Sequence, residues 1–238
     1  MPPISLFDAA HRPDDLVIPA CNECNKGTST ADLVVALISR WSSVSTPQEQ
    51  KDHAKLANRV LIQAPSLVRD EWLSIADDPI EKLQARQHLL AHGVNVPADA
   101  SLAMVGPETI GHLNLFAHKT VLALYFNHFR RGLPRNGGAC AYWRTKEDFA
   151  RGGVPKIFFD MLPSYGTITQ GQWNERETFE YRFAIGAGVF GCLARFRQSF
   201  FVYGFAVDDI AVLPDEERAE WICPEQMLSI PQVNRSKQ

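Results

Sequence analysis

Long apolar runs are missing from this sequence. None approaches the ~18 residues that a membrane-spanning helix needs, so no membrane partner is expected. The first residues, Met1-Pro2-Pro3-Ile4-Ser5-Leu6-Phe7-Asp8, lack the basic stretch followed by an apolar one that marks a secretory signal. Cysteine is scarce. Five thiols, an odd number unevenly spaced, do not make a disulfide scaffold, and a reducing cytoplasm is the expected location. There is no excess of basic charge either. Twenty-four Lys and Arg against 27 Asp and Glu give a net charge of −3, so contact with nucleic acid would need a local patch. A nucleotide-binding glycine loop, a GxSxG nucleophile elbow and an internal repeat are all absent.

What remains is ample for a packed fold. The 238 residues are 45% hydrophobic and 21% charged, which suits one large domain or two small ones and does not suit a disordered chain. Residues 1–29 read as an irregular segment carrying Pro2, Pro3, Pro13 and Pro19. A helix is expected from Ser29, where Ser29-x-x-Asp32 resembles a capping box, with Leu33, Val34, Leu37, Ile38 and Trp41 at helical spacing. Residues 47–92 read as two or three helices, with Leu56, Val60 and Leu61 marking one apolar face and Leu83, Leu89 and Leu90 another. Pro65 and Pro79 read as breaks or first-turn prolines. Residues 107–131 give the strongest helical pattern, an apolar stripe of Ile110, Leu113, Phe116, Val121, Leu124 and Phe129, closed by Gly132 and Pro134.

After Gly137-Gly138 the character changes to aromatic and β-branched. Phe179, Tyr181, Phe183 and Ile185 alternate with Glu180, Arg182 and Ala184, as in a half-buried strand. Gly186-Ala187-Gly188 suits a hairpin turn, and 189–197 and 199–207 read as the next strands. The expected fold is therefore α+β, divided as 1–45, a helical 46–136 and an antiparallel β-rich 137–238. Charge is uneven along it. Residues 128–156 hold Arg130, Arg131, Arg135, Arg144, Lys146, Arg151 and Lys156 against two acids, while 208–225 hold seven acids against Arg218 alone. Arg130, Arg131, Arg135 and Lys146 are candidate phosphate contacts, with Tyr142 and Trp143 available to stack on bases. The plainer alternative is a solvated stretch that pairs with the acidic end.

Cys21-x-x-Cys24-Asn25-x-Gly27 is the segment with the most chemical content. A CxxC is either a redox pair or half of a zinc site. A turn closing on Gly27 favours the zinc knuckle, and two unconnected thiols in a loop is the remaining alternative. The stretch Pro2-Pro3-Ile4-Ser5-Leu6-Phe7, followed by Arg12-Pro13-Asp14-Asp15-Leu16-Val17-Ile18-Pro19-Ala20-Cys21-Asn22-Glu23-Cys24-Asn25-Lys26-Gly27-Thr28-Ser29-x-x-Asp32, resembles bacterial proteins of the HNH endonuclease superfamily. Only these first 32 residues carry the likeness closely.

The resemblance implies a ββα-metal site that hydrolyses phosphodiester bonds of DNA. It implies a histidine as general base, a divalent cation (Mg or Mn) at the scissile phosphate and a structural zinc on four cysteines. Position by position, Cys21 and Cys24 match one zinc half-site. Asn25 matches a metal-ligand position, Asp15 lies near the residue that orients the catalytic loop, and the helix from Ser29 matches the α of ββα. The family places the base, its acidic neighbour and the other CxxC before the Pro-Pro pair, where this sequence has only Met1. The expectation is a start placed too late, with a natural protein about 20–40 residues longer. The alternative is a degenerate relative that binds nucleic acid or protein without catalysis. His11 is a weak substitute base or zinc ligand. His53, His88, His92, His112, His118 and His128 fall on expected helices, where His88 and His92 share a face without an HExxH pattern. Cys140, Cys192 and Cys223 read as small buried residues.

Overall fold

The computed structural model describes residues 4–7, 22–41, 46–72, 79–91, 93, 105–146, 148, 169–171, 178–186, 188–216 and 218–229. Five helices precede a five-stranded antiparallel sheet among them. The helices are α1 (Asn22–Gly27), α2 (Ser29–Ile38), α3 (Pro47–Gln63), α4 (Pro79–Ala91) and α5 (Pro107–Phe129), with a π-helical turn at Leu67–Trp72. The strands are β1 (Gly138–Thr145), the two-residue β2 (Thr169–Gln170), β3 (Phe179–Gly186), β4 (Val189–Phe196) and β5 (Phe200–Val207). Their order across the sheet is β1-β5-β4-β3-β2.

The α+β class and the antiparallel sheet agree with the sequence reading, and β3, β4 and β5 lie within a residue of the expected strands. Gly186 pairs with Val189 across the hairpin, and Gly188 holds the positive φ of 77° that a tight two-residue turn requires. Phe196 pairs with Phe200 across the next turn.

One sheet face carries Ala139, Ala141, Phe179, Tyr181, Phe190, Cys192, Ala194, Phe196, Phe200, Val202 and Ala206, and α5 packs on it. On the other side of α5 lies α2, which packs in turn on α3. Being covered from both sides, α5 buries far more than the expected stripe: Leu115, Ala117, His118, Thr120, Ala123, Tyr125 and Asn127 join Leu113, Phe116, Val121 and Leu124. The helix approaches β5 at Gly204, where a Cβ would stand 2.7 Å from a Val121 methyl and 2.3 Å from the Cys140 carbonyl oxygen. Only glycine fits there. Edge-on contacts of Phe116 with Phe196 and Phe200 tie helix to sheet. Half of the opposite sheet face, Cys140, Ala184, Phe205 and Val207, is covered by Leu213 and Trp221 of the C-terminal segment, which also bridges β1 through Ile222 and Ala139.

One continuous cluster of buried residues runs from Leu6 through α2, α3 and α5 into the sheet, across all three ranges expected from sequence. Several local expectations change. Ser29 does not cap α2. The preceding α1 is already helical, so the chain enters α2 through Thr28 in a helical conformation without a side-chain cap, and Ser29 Oγ donates to the Lys26 carbonyl. A capping box does open α3, between Thr46 and Glu49. Leu61, Leu83, Leu90 and Ile110 are exposed rather than core-facing, and α4 buries none of its described side chains. At the end of α5 the left-handed cap is Arg130 (φ 55°) rather than Gly132. Cys140 and Cys192 are buried, whereas Cys223 is only half-buried.

Candidate functional site

Among the described residues, the turn at Ile4–Leu6 and helix α2 meet in space. The 3-10 turn Ile4–Leu6 packs on α2. Leu6 is fully buried and Phe7 nearly so, with its ring edge-on to Phe179. Arg40, just past α2, donates to the carbonyls of Ser5 (3.1 Å) and Leu6 (3.4 Å), and Arg197 from the β4–β5 turn donates to the same Leu6 carbonyl at 3.3 Å. The N-terminal segment is thus clamped between helix layer and sheet. Ser199 Oγ adds a bond to the Ser39 carbonyl at 2.5 Å. On the far side, Asp32 of α2 is paired with Lys119 of α5 at 2.5 Å, with side chains 13% and 11% exposed. Burial raises the Asp32 pKa above the ordinary aspartate value, and Lys119 opposes that rise.

Asn25 lies in α1 with its side chain exposed, and its carbonyl accepts a bond from Thr28 Oγ1 at 3.4 Å. Cys24 lies in the same short helix, so the chain is helical before the expected start at Ser29, and the expected turn closing on Gly27 is a helix instead. The side chain of Cys24, and Cys21, Asp15 and His11 altogether, lie outside the described residues. Among the described residues no three His, Cys, Asp or Glu side chains gather as a metal would require. The described set therefore does not make a metal site, and no chemical step is assigned to one.

The four basic candidates do not form one surface. Arg130, Arg131 and Arg135 precede β1, whereas Lys146 follows it. Eight strand residues at ~3.3 Å each separate the two groups by about 26 Å. Arg131 pairs with Asp208 at 2.5 Å, and Asp208 also accepts the Tyr125 hydroxyl proton bond. That hydroxyl, helped by the Arg131 charge, holds the Asp208 carboxyl below its usual range. The Tyr125 hydroxyl in turn is pushed up to about 12 by burial and by Asp208. Arg135 faces Glu225 at 3.5 Å in an exposed pair. The expectation that basic stretch and acidic end pair with each other fits Arg131 and Arg135. The Cys140 thiol, pushed up to about 12 by burial, is no nucleophile at neutral pH.

Three histidines show a common electrostatic pattern. His118 is buried, with Nδ1 2.9 Å from the Asn114 carbonyl and no hydrogen-bond partner on Nε2 among the described residues. His128 packs on Phe183 and lies 3.2 Å from the Tyr181 hydroxyl. Burial lowers the pKa of His118, His128 and His53, with Arg130 adding to the effect at His128 and Arg40 at His53. For a base with a lowered folded pKa, the unfolded chain takes up protons first as pH falls. This stability is full above about 6.5 and is lost as pH falls through that value toward the folded pKa values. The melting temperature is expected to drop between pH 7.5 and 5.5. His118→Leu, which cannot charge, should show a shallower drop; an equal or steeper one in thermal melts would refute this account of His118.

The fold and the site define an α+β chain with an N-terminal motif fixed against an antiparallel sheet. Comparison with protein-family models, curated proteins and solved structures finds no match for the chain.

Proposed function

We propose that this chain carries part of an HNH-type nuclease, which in its complete form hydrolyses phosphodiester bonds of DNA with a divalent metal. One observation supports the reading above others: the Ile4–Leu6 turn and the helix that begins at Ser29, far apart in the motif, pack directly on one another. Leu6 and Phe7 are buried, Asn25 stays exposed, and Asp32 anchors its helix. These are the positions a scaffold-and-ligand motif would fill with such residue types. No histidine of this sequence matches the general base of the family, so this chain by itself is expected to be inactive or impaired in cleavage.

The experiment is a plasmid-nicking assay with magnesium or manganese on this chain and on the chain extended by the residues encoded in frame upstream. Cleavage by the longer form alone, abolished by Asn25→Ala, is the expected result. No cleavage by either form, together with a stop codon directly upstream, would overturn the nuclease reading.

A further inference from the structure

Asn114, His118, Val121 and Tyr125 recur at helical spacing and form one stripe along α5. Three of them meet the β1–β5 side of the sheet. Asn114 Oδ1 accepts from Trp143 Nε1 of β1 at 2.9 Å. A Val121 methyl lies against Gly204, beside the Cys140 carbonyl. The Tyr125 hydroxyl bonds Asp208, just past β5. His118 falls between the first two of these contacts. It therefore faces β1 between Trp143 and Cys140, where the inward residue is Ala141.

His118 is 7% exposed. Its Nδ1 lies 2.9 Å from the Asn114 carbonyl, which can only accept, so Nδ1 carries the proton and Nε2 presents a bare lone pair. That Nε2 has no hydrogen-bond partner among the described residues. The neutral ring satisfies its one donor and leaves one weak acceptor dry. A proton on Nε2 adds a second donor and a full charge to the seam, with nothing there to receive either. The charges on the surrounding elements are committed elsewhere. Lys119 and Asp32 of α2 hold each other, Arg131 holds Asp208, and Glu71 is bonded to the first turn of α5. Arg144 lies on the outer face of β1 and Lys146 past its end, and β5 carries no charged residue. None of these shifts His118. Burial lowers its pKa, and the Asn114 carbonyl opposes that only in part.

We propose that His118 is a pH-sensitive latch on the seam between α5 and β1, closed while the ring is neutral and opened when a proton on Nε2 drives the ring out to water. β1 is the strand that gives way. Among the described residues it is an edge strand, paired with β5 along its length and bridged on its other side only at Ala139, by Ile222. β4 and β5 are paired on both sides. Trp143, bonded to Asn114 one turn before His118, leaves its acceptor as the seam opens. His128 does not act in this way, because it is half-buried and its Nε2 lies 3.2 Å from the Tyr181 hydroxyl, whose oxygen can accept from a charged ring. The latch does not depend on the nuclease reading.

The test is deuterium exchange on the full chain at pH 7.5 and 5.5, corrected for the intrinsic pH dependence of exchange. In the open state His118 titrates near the ordinary value of about 6.5, so that state gains about tenfold in weight over this interval. Protection of β1 is therefore expected to fall about tenfold more than that of the β3–β5 meander. In His118→Leu the extra loss should shrink to within about twofold, and in His128→Leu it should persist. Nitrogen-15 NMR of the parent should show the Nδ1–H tautomer of His118 at pH 7.5 and a midpoint below about 6.5, with the Trp143 indole resonance broadening over the same interval. The proposal is overturned if β1 and the meander lose protection equally, if His118→Leu loses it as the parent does, or if His128→Leu abolishes the effect. An Nε2–H tautomer, or a midpoint at or above the ordinary value, would also overturn it. Both of these are read on the parent, so the proposal stays testable even if His118→Leu does not fold.

Discussion

Glu71→Ala is expected to destabilise the protein by about 3–5 kcal/mol, a large part of the ~5–15 kcal/mol that holds a domain folded. Glu71 ends up 8% exposed at the start of α5, where its carboxylate accepts from the amides of Gly106 (3.2 Å), Glu108 (2.7 Å) and Thr109 (3.0 Å) and from Thr109 Oγ1 (2.5 Å). The first turn of a helix has no internal partners for its N–H groups and carries partial positive charge, so one buried anion answers both needs. Trp72 Nε1 donates to the same Thr109 oxygen at 3.0 Å, which draws the π-helical turn onto α5. Alanine would leave these donors buried and unpaired. Glu71→Gln retains an acceptor but no charge, and should cost an intermediate amount, about 1–3 kcal/mol. Gly106→Ala should also destabilise, because a Cβ there would stand 2.5 Å from the Glu71 carboxyl carbon. Urea denaturation measures all three. A loss below 1 kcal/mol for Glu71→Ala would show that α5 does not depend on this cap.

Lys119→Met is the second large effect. It strands the Asp32 carboxylate, whose Oδ1 already has no hydrogen-bond partner among the described residues. Removing one partner of a buried pair typically costs ~3–5 kcal/mol, whereas replacing both with uncharged groups is often neutral or better. The double variant Asp32→Asn/Lys119→Met is therefore expected to recover most of the loss. The pH dependence has a definite sign. Because the folded pKa of Asp32 is already raised, its contribution to stability is present at low pH and is lost as pH rises through that folded value. Without Lys119 the folded pKa rises further, so the deficit of Lys119→Met should be largest at neutral pH and shrink in acid. A deficit that grows as pH falls, or a double variant no better than the single, would contradict the account.

How much of this was readable in the chain depends on range. The alternation at 179–185 and the apolar pattern at 107–131 report local geometry, and β3 and α5 formed where they predicted. Asp32 shows the limit. Its spacing from Ser29 resembles a cap, yet the residue spends its charge on Lys119, 87 positions away. Nothing in the local pattern around Glu71 marks it as the cap of a helix more than 30 residues later. The apolar residues of α4 kept helical spacing without being buried. The basic stretch after residue 128 looked like one patch because sequence counts charges without counting the length of the strand that divides them. Of the nuclease candidates, only Asn25 can be placed with its side chain, exposed on α1.

The strand order also bears on how the chain reaches this state. β3, β4 and β5 follow one another through short turns, so each pairing closes a small loop. β1 must find β5 across the entire intervening sequence, matching Gly138 to Val207. Closing that long loop costs more entropy and comes with fewer local contacts to offset it. The three-stranded meander should therefore gain protection from hydrogen exchange earlier during refolding than β1, with α5 and the Leu6–Phe7 segment consolidating as β1 docks.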